Sequence, residues 1–163
     1  MIQAYKDNNF PLEVVYVNTN AWLNDTQDFT VNTTNFDDFP GLTNVLTGNN
    51  QKLVLSMSPG TSAKDTNNIY YQDGFNNNLF IKSSIRQYDE QYGSNLVSKF
   101  TYDGIAQVFV DWFQGYAYSY LEKGLRDLNF NQNVNINGFT LEASEITTYY
   151  DGELTTFIPY SIP

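Results

Sequence analysis

The chain has 163 residues and a formal net charge of -10, and it contains neither cysteine nor histidine. Its length is enough to bury one sizeable core. The acidic balance argues against nucleic acid and anionic membrane surfaces as partners, because both are bound through basic patches. The missing cysteine and histidine exclude disulfides, zinc sites built on these residues, and Ser-His-Asp or Cys-His mechanisms. Carboxylates, tyrosine and lysine remain as acid-base groups.

The first third of the chain predicts a short helix, a strand and a second strand. Residues 2–9 have the pattern of the last turns of a helix, and the β-branched run at 12–17 predicts a buried strand. Residues 18–35 are polar and contain turn residues, which indicates a loop. The apolar run at 52–57 predicts a second buried strand.

A helix is predicted between these two strands. Asp37 or Asp38 is placed to cap its start, it extends through Thr47, and Gly48 suits its end. Its expected inner face consists of Phe39, Leu42, Val45 and Leu46.

The second half predicts a long loop, a helix and a third strand. Residues 61–102 are rich in Asn, Tyr and Gly, and a loop of that length in a compact domain is usually functional. Apolar and aromatic residues recur at helical spacing over 108–128. Residues 139–141 predict a third strand that ends at Glu142.

This alternation of helices and strands predicts an α/β fold of parallel strands with right-handed crossovers. Ligands bind such sheets at the carboxyl ends of the strands, here residues 18–20, 58–60 and 142–145. No apolar run approaches the roughly 20 residues of a membrane span. Two N-glycosylation sequons occur, at Asn24 and Asn32, in an asparagine-rich sequence where such matches also arise by chance.

Several segments of the chain resemble glycoside hydrolase family 31, the family of α-glucosidases and maltase-like enzymes. They occur in the same order as in the family and at nearly the same spacing. Residues 10–15 (Phe-Pro-Leu-Glu-Val-Val) are similar to the family's Ile-Pro-Leu-Asp/Glu-Val strand, and the Asp-Phe-Thr of 28–30 follows it. Residues 51–60 resemble the family's Gly-Gln-Lys strand with its terminal Pro-Gly, which the Phe-Ile-Lys of 80–82 follows. Residues 138–145 occupy the place of the family's Gly-X-Trp-X-Asp-Met-Asn-Glu motif.

The resemblance covers almost the whole chain and implies a segment of a (β/α)8 TIM barrel. Residues 1–163 correspond to about strands 2 to 4, with no second domain. A complete barrel needs about 250 residues, so the family's acid/base Asp is expected outside this sequence. We expect the rest of the barrel, or another chain, to cover the open sheet edges.

The resemblance also implies a retaining mechanism, in which two carboxyl groups lie about 5 to 5.5 Å apart. It places Glu142, one methylene longer, where the family has its nucleophilic Asp. The family's sugar-binding positions correspond to Asn18, Asn20, Tyr102, Asp111, Thr140 and Glu145.

Several of these positions depart from the family's pattern. Asn18, Asn20 and Ser58 stand where the family has Asp, while Tyr102 and Thr140 stand where it has Trp. Asp111 and Glu145 are kept. The changes cluster at the sugar pocket while the scaffold residues persist, which favours a protein of this fold without catalysis.

Three functions are therefore considered. The leading one is a catalytically inactive α-glucosidase-like segment, acting as a structural, interaction or glycan-binding module of a larger extracellular or secretory-pathway protein. The second is a divergent but active retaining α-glycosidase, and the third is a self-contained α/β domain with chance motif matches. No cofactor or metal is expected. Glu142 also fits a solvated or salt-bridged strand-end carboxylate, and Asn18 and Asn20 fit plain turn residues.

Overall fold

A computed structural model describes residues 2–24, 27–58, 60–83, 94–98 and 106–142, with only the backbone described at Asn20 and Ser98. The first elements are α1 (Ile2–Asp7), β1 (Val14–Val17), α2 (Thr19–Trp22), α3 (Phe39–Gly48) and β2 (Lys52–Met57). They are followed by β3 (Gly60–Ser62), α4 (Ile69–Asn76), β4 (Val97–Ser98), β5 (Gln107–Phe109), α5 (Ala117–Arg126), a π-helical turn (Asp127–Asn131) and β6 (Gly138–Leu141).

Three strands form a parallel sheet in the order β1-β2-β6. Val15 is paired with Leu53, and Leu55 is paired with Phe139. The prediction of three adjacent parallel strands in this order is therefore confirmed. The carboxyl ends of all three strands meet at one edge of the sheet, because parallel strands end on the same side.

The two faces of this sheet have different surroundings. Val15, Val17, Leu53 and Leu55 are buried, and α2 and α3 pack against β2. The opposite face of β1 is open, since Tyr16 is 47% exposed. We refer to the face that carries Tyr16 as the open face.

Helix α3 begins as predicted. Asp38 caps it, and its Oδ1 accepts a hydrogen bond of 2.8 Å from the N–H of Gly41. The predicted inner face is wrong at Val45, which is 53% exposed. Phe39 and Leu46 are buried as predicted, and Thr43 is buried with them because the three follow the i, i+4, i+7 spacing of one helical face.

A second, antiparallel sheet has the order β3-β5-β4. Val108 of β5 lies opposite both Thr61 and Val97. The prediction of a helix starting at residue 108 is therefore wrong, because that helix, α5, starts at Ala117. Val108, Phe109 and Val110 are all buried, and a buried apolar run of this length suits a strand as well as a helix.

The stretch 61–102 is also more regular than predicted. Its described residues contain β3, α4 and β4, while residues 84–93 and 99–102 lie outside the description. The side-chain oxygen of Asn68 caps α4, accepting hydrogen bonds from the N–H groups of Tyr70 and Tyr71 at 2.9 and 3.2 Å. The capping asparagine explains why a helix forms within an asparagine-rich segment.

An aromatic cluster joins the loop after β1 to α4 and α5. The ring of Phe29 lies 5.1 Å from that of Tyr70 and 5.9 Å from that of Tyr120, measured between centroids. Gly124 of α5 lies against Phe29, so closely that a Cβ there would be 2.3 Å from the ring. The glycine therefore lets α5 approach the loop. None of the described helices is long and apolar enough to cross a membrane.

Candidate functional site

Each strand of the parallel sheet is followed by a polar residue at the shared carboxyl edge. Asn18 follows β1, Ser58 follows β2 and Glu142 follows β6. The N–H of Glu142 donates to the carbonyl of Met57 over 2.9 Å, so Glu142 continues the pairing with the end of β2. The strand order thus brings Glu142 to the edge where ligands bind such sheets.

The carboxylate of Glu142 has a defined hydrogen-bond environment. The hydroxyl of Tyr16 donates to Oε1 of Glu142, and Oγ1 of Thr140 donates to the hydroxyl oxygen of Tyr16 over 3.4 Å. Hydrogen bonds from Tyr16, and next from Ser56, hold the pKa of Glu142 below its usual range. Glu142 is therefore ionised at neutral pH.

A buried pair of hydroxyls lies behind this carboxylate. The hydroxyl oxygens of Thr19 and Ser56 are 2.7 Å apart, and Nε1 of Trp22 donates to the carbonyl of Ser56 over 2.6 Å. Ser56 and Trp22 are completely buried. These contacts fix α2 on the end of β2 and so give the hydroxyl of Ser56 a fixed place beside Glu142.

The other predicted sugar-binding residues are only partly brought together. Asn18 is exposed at the end of β1, and its carbonyl accepts from the N–H of Ala21 over 2.9 Å at the start of α2. The backbone of Asn20 lies within α2. The Oγ of Ser58 accepts from the N–H of Gly60 over 3.3 Å. The edge therefore combines two neutral residues with one carboxylate.

Asp111 does not lie at the end of one of the three parallel strands. It follows β5 of the antiparallel sheet, and its Oδ1 accepts from the N–H of Phe113 over 3.1 Å. This contact caps the turn that leads toward α5. Tyr102 and Glu145 lie outside the described residues.

The site residues predicted from the sequence did not include Tyr16, Ser56 or Thr19. Tyr16 lies in β1 and Ser56 lies in β2. The register between these strands decides which side chains come into contact, and no pattern in the sequence determines that register. One signal was present, since residues 14, 16 and 18 alternate onto the same face of β1. A predicted ligand residue at Asn18 therefore implied that Tyr16 shares its face.

The two sequons differ in exposure. Asn24 is exposed, and its N–H donates to the carbonyl of Thr30 over 2.9 Å. Asn32 is half-buried, and its Oδ1 accepts from the N–H groups of Thr34 and Asn35 at 3.0 and 3.1 Å. Asn24 is therefore the more accessible of the two side chains.

A second ionisable group is buried away from the strand ends. Asp28 is 5% exposed, and its Oδ2 accepts from the hydroxyl of Tyr120 over 3.1 Å. Burial raises the pKa of Asp28 to about 7, against the partly offsetting hydrogen bonds from Tyr120 and Thr61. Among the described residues, Oδ1 of Asp28 has no hydrogen-bond partner.

Away from the strand ends, the described residues form a groove but no cluster of metal ligands. No cluster of three or more potential metal ligands occurs within the described part of the chain. A groove of about 570 Å³ runs along α5 and α4, where Ile69, Glu122 and Phe130 are among its lining residues. None of its lining residues belongs to the carboxyl edge of the parallel sheet, so the groove is separate from Glu142.

Comparisons with known proteins agree with the parallel sheet. The family model described as the glycosyl hydrolases family 31 TIM-barrel domain matches residues 1–159. No curated protein sequence matches the chain significantly.

Solved structures of similar fold include a GH31 α-xylosidase from a soil metagenome in complex with xylose, with 18% identity and a TM-score of 0.70. The α subunit of glucosidase II with α3-Glc2 bound has 18% identity and a TM-score of 0.63, and a xylosidase from Aspergillus niger has 15% and 0.66. These matches cover 91%, 85% and 96% of this chain, but only 20%, 14% and 21% of theirs.

The chain thus spans about a fifth or less of the length of these structures, and at such identities the likeness shows the fold alone. The family match, by contrast, extends over nearly every residue and includes the three parallel strands. The chain belongs to glycosyl hydrolase family 31 and forms part of its TIM-barrel domain.

Proposed function

We propose that this barrel segment has lost glycoside hydrolysis and acts as a glycan-binding or interaction module of a larger extracellular or secretory-pathway protein. The observation that carries the proposal is the composition of the carboxyl edge. Among the described residues that follow the three strands, Glu142 is the one carboxylate, and its Oε1 is already bound by Tyr16. Asn18 and Ser58 are neutral.

Neutral residues at this edge have a defined chemical consequence. Asn18 and Ser58 can hydrogen-bond sugar hydroxyls, but they cannot stabilise the positive charge that develops on the sugar ring during cleavage. The loss of one such electrostatic contact typically costs about 2.7 to 4 kcal/mol of transition-state stabilisation. Sugar binding is therefore expected to survive changes that stop turnover.

The experiment is a hydrolysis assay on full-length protein. Aryl α-glucoside and aryl α-xyloside are the substrates, because glucosidase II and α-xylosidases occur among the structures of similar fold. We expect no turnover above buffer, and no change on Glu142→Gln. Turnover that disappears in Glu142→Gln would refute the proposal.

A divergent, active retaining α-glycosidase is the second candidate. Its support is the lowered pKa of Glu142, since a nucleophilic carboxylate must be ionised when it attacks the anomeric carbon. Its acid/base group would have to come from outside this chain. The same hydrolysis assay distinguishes the two candidates, because only the active enzyme depends on Glu142.

The proposed compartment rests on two observations. One is the likeness in fold to ER glucosidase II, solved as a complex of catalytic subunit and the binding domain of its regulatory subunit. The other is the exposed sequon at Asn24. Mass spectrometry of protein secreted from eukaryotic cells, before and after glycan removal, tests the assignment.

The proposed partner of the open sheet is the rest of the barrel. Val14 is 49% exposed on the open face, while Phe139 and Leu141 of β6 are 38% and 51% exposed on the opposite face, and parallel sheets are normally covered on both faces. We expect this chain, expressed alone, to aggregate. A monodisperse, cooperatively melting monomer would contradict this expectation.

A further inference from the structure

Tyr16 lies in a row of side chains that crosses the open face of the parallel sheet. It is opposite Val54 of β2, and Val54 is opposite Gly138 of β6. Thr140 and Glu142 follow Gly138 on the same face, because side chains alternate along a strand. This arrangement lets the hydroxyl of Tyr16 reach a carboxylate 126 residues away in the chain.

The hydroxyl of Tyr16 is the middle member of a chain of hydrogen bonds. It accepts from Thr140 and donates to Glu142. The carboxylate is also hydrogen-bonded by Ser56, a side chain that is completely buried and paired with Thr19. Glu142 is therefore held both from β1 and from β2.

We infer that Tyr16 is a positioning residue for Glu142, binding one carboxylate oxygen and fixing the side chain at the carboxyl edge of the sheet. This inference rests on the proposed function, in which Glu142 does not attack a sugar. The oxygen that accepts the hydrogen bond of Tyr16 has a lone pair engaged, which lowers both its nucleophilicity and its capacity to accept a further hydrogen bond.

The charges around Glu142 are consistent with this role. Tyr16 of β1 and Ser56 of β2 are neutral donors, and the cation on β2, Lys52, lies at the opposite end of that strand. Among the described residues, hydrogen bonding rather than an ion pair holds the pKa of Glu142 low, with Tyr16 as the largest cause. Removing the hydroxyl of Tyr16 is therefore expected to move the titration of Glu142 toward higher pH.

The test is a titration of Glu142 in full-length protein by infrared difference spectroscopy. The carboxylate band of Glu142 is isolated at each pH by subtracting the spectrum of Glu142→Gln, and the Tyr16→Phe spectra are corrected with the double variant. We expect the midpoint to rise in Tyr16→Phe. Tyr118→Phe on α5, where the ring is 74% exposed, is the matched control and should leave the midpoint unchanged.

A second probe avoids dependence on one variant. Replacing Tyr16 with 3-fluorotyrosine keeps the ring and gives a more acidic phenol, which donates a stronger hydrogen bond. The midpoint of Glu142 should then fall. Midpoints that are equal in wild type, Tyr16→Phe and the fluorotyrosine protein would overturn the inference.

The hydrolysis assay separates this inference from the proposed function. Turnover by wild type together with a midpoint shifted in Tyr16→Phe ends the proposed function and leaves the role of Tyr16 intact. No turnover together with an unshifted midpoint would end the role of Tyr16 and leave the proposed function intact.

Discussion

Replacing Asp28 with Asn should make the protein less sensitive to rising pH. The carboxyl of Asp28 is buried beside the hydroxyl of Tyr120, and burial raises its pKa from 3.8 to about 7. Tyr120 stays neutral throughout, because burial and then Asp28 itself raise its pKa well above 10.0. The asparagine side chain has nearly the same shape, keeps an oxygen that can accept from Tyr120, and carries no charge.

The sign and size of the effect follow from linkage. Below pH 3.8 the carboxyl is protonated in both the folded and the unfolded state, so it contributes no pH dependence. Between pH 3.8 and about 7 only the unfolded state releases the proton, and the folded state loses stability as the pH rises. At 1.36 kcal/mol for each pH unit, this interval corresponds to about 4 kcal/mol, which Asp28→Asn should remove.

The assay is hydrogen exchange of full-length protein between pH 5 and pH 8, read in peptides that cover α5. Local opening is the appropriate quantity, because a large protein need not unfold in one step. After correction for intrinsic exchange rates, the amides of α5 should exchange more slowly in Asp28→Asn than in wild type, and this difference should grow as the pH rises. Asp37→Asn removes the same charge from an exposed residue and should behave like wild type. An identical pH dependence in Asp28→Asn and wild type would refute the reasoning.

Two further predictions concern packing and glycosylation. Gly124→Ala places a Cβ 2.3 Å from the ring of Phe29 and should destabilise α5 by about 1 to 3 kcal/mol, measured by exchange. Gly48 is also helical, but a Cβ added there would have no neighbouring atom within 4 Å. Gly48→Ala should therefore be neutral or stabilise by up to about 1 kcal/mol. Equal destabilisation by Gly124→Ala and Gly48→Ala would contradict this explanation. In protein secreted from eukaryotic cells, Asn24→Gln should remove one glycan by mass, while Asn32→Gln leaves the mass of glycan unchanged. Loss of a glycan in Asn32→Gln but not in Asn24→Gln would contradict the prediction that the more exposed asparagine is the one modified.

The strands of the parallel sheet could be predicted because their evidence is local. The β-branched run at 12–17 and the apolar run at 52–57 are bounded by turn residues, as expected of buried strands. The start of α3 was equally local, since an Asp just before a helical pattern is a strong start signal. These signals do not depend on what the segment packs against.

The second sheet could not be predicted because its evidence is not local. Apolar residues around Val108 and Phe109 fit the helical period and a buried strand equally well. What decides between them is pairing with Thr61 and Val97, which lie far away in the sequence. Short antiparallel strands are stabilised by such partners more than by their own propensity.

The location of the candidate site at the carboxyl edge of the sheet could be predicted, but the contacts between its side chains could not. The family resemblance placed Glu142 and Asn18 at strand ends, and the structure places both there. The contact between Tyr16 and Glu142 depends on the register of β1, β2 and β6 together, and one residue of slip would turn Tyr16 to the other face. The roles assigned to the site residues remain predictions.

The central claim, that Glu142 does not act as a nucleophile, can be tested by chemical trapping. A retaining glycosidase forms a covalent bond between its carboxylate and the anomeric carbon, and a glycosyl fluoride with a second fluorine on the sugar ring slows the breakdown of that intermediate. Full-length protein incubated with such a glucosyl or xylosyl fluoride should yield no modified peptide containing Glu142 by mass spectrometry. An adduct on Glu142, absent from Glu142→Gln, would contradict the account.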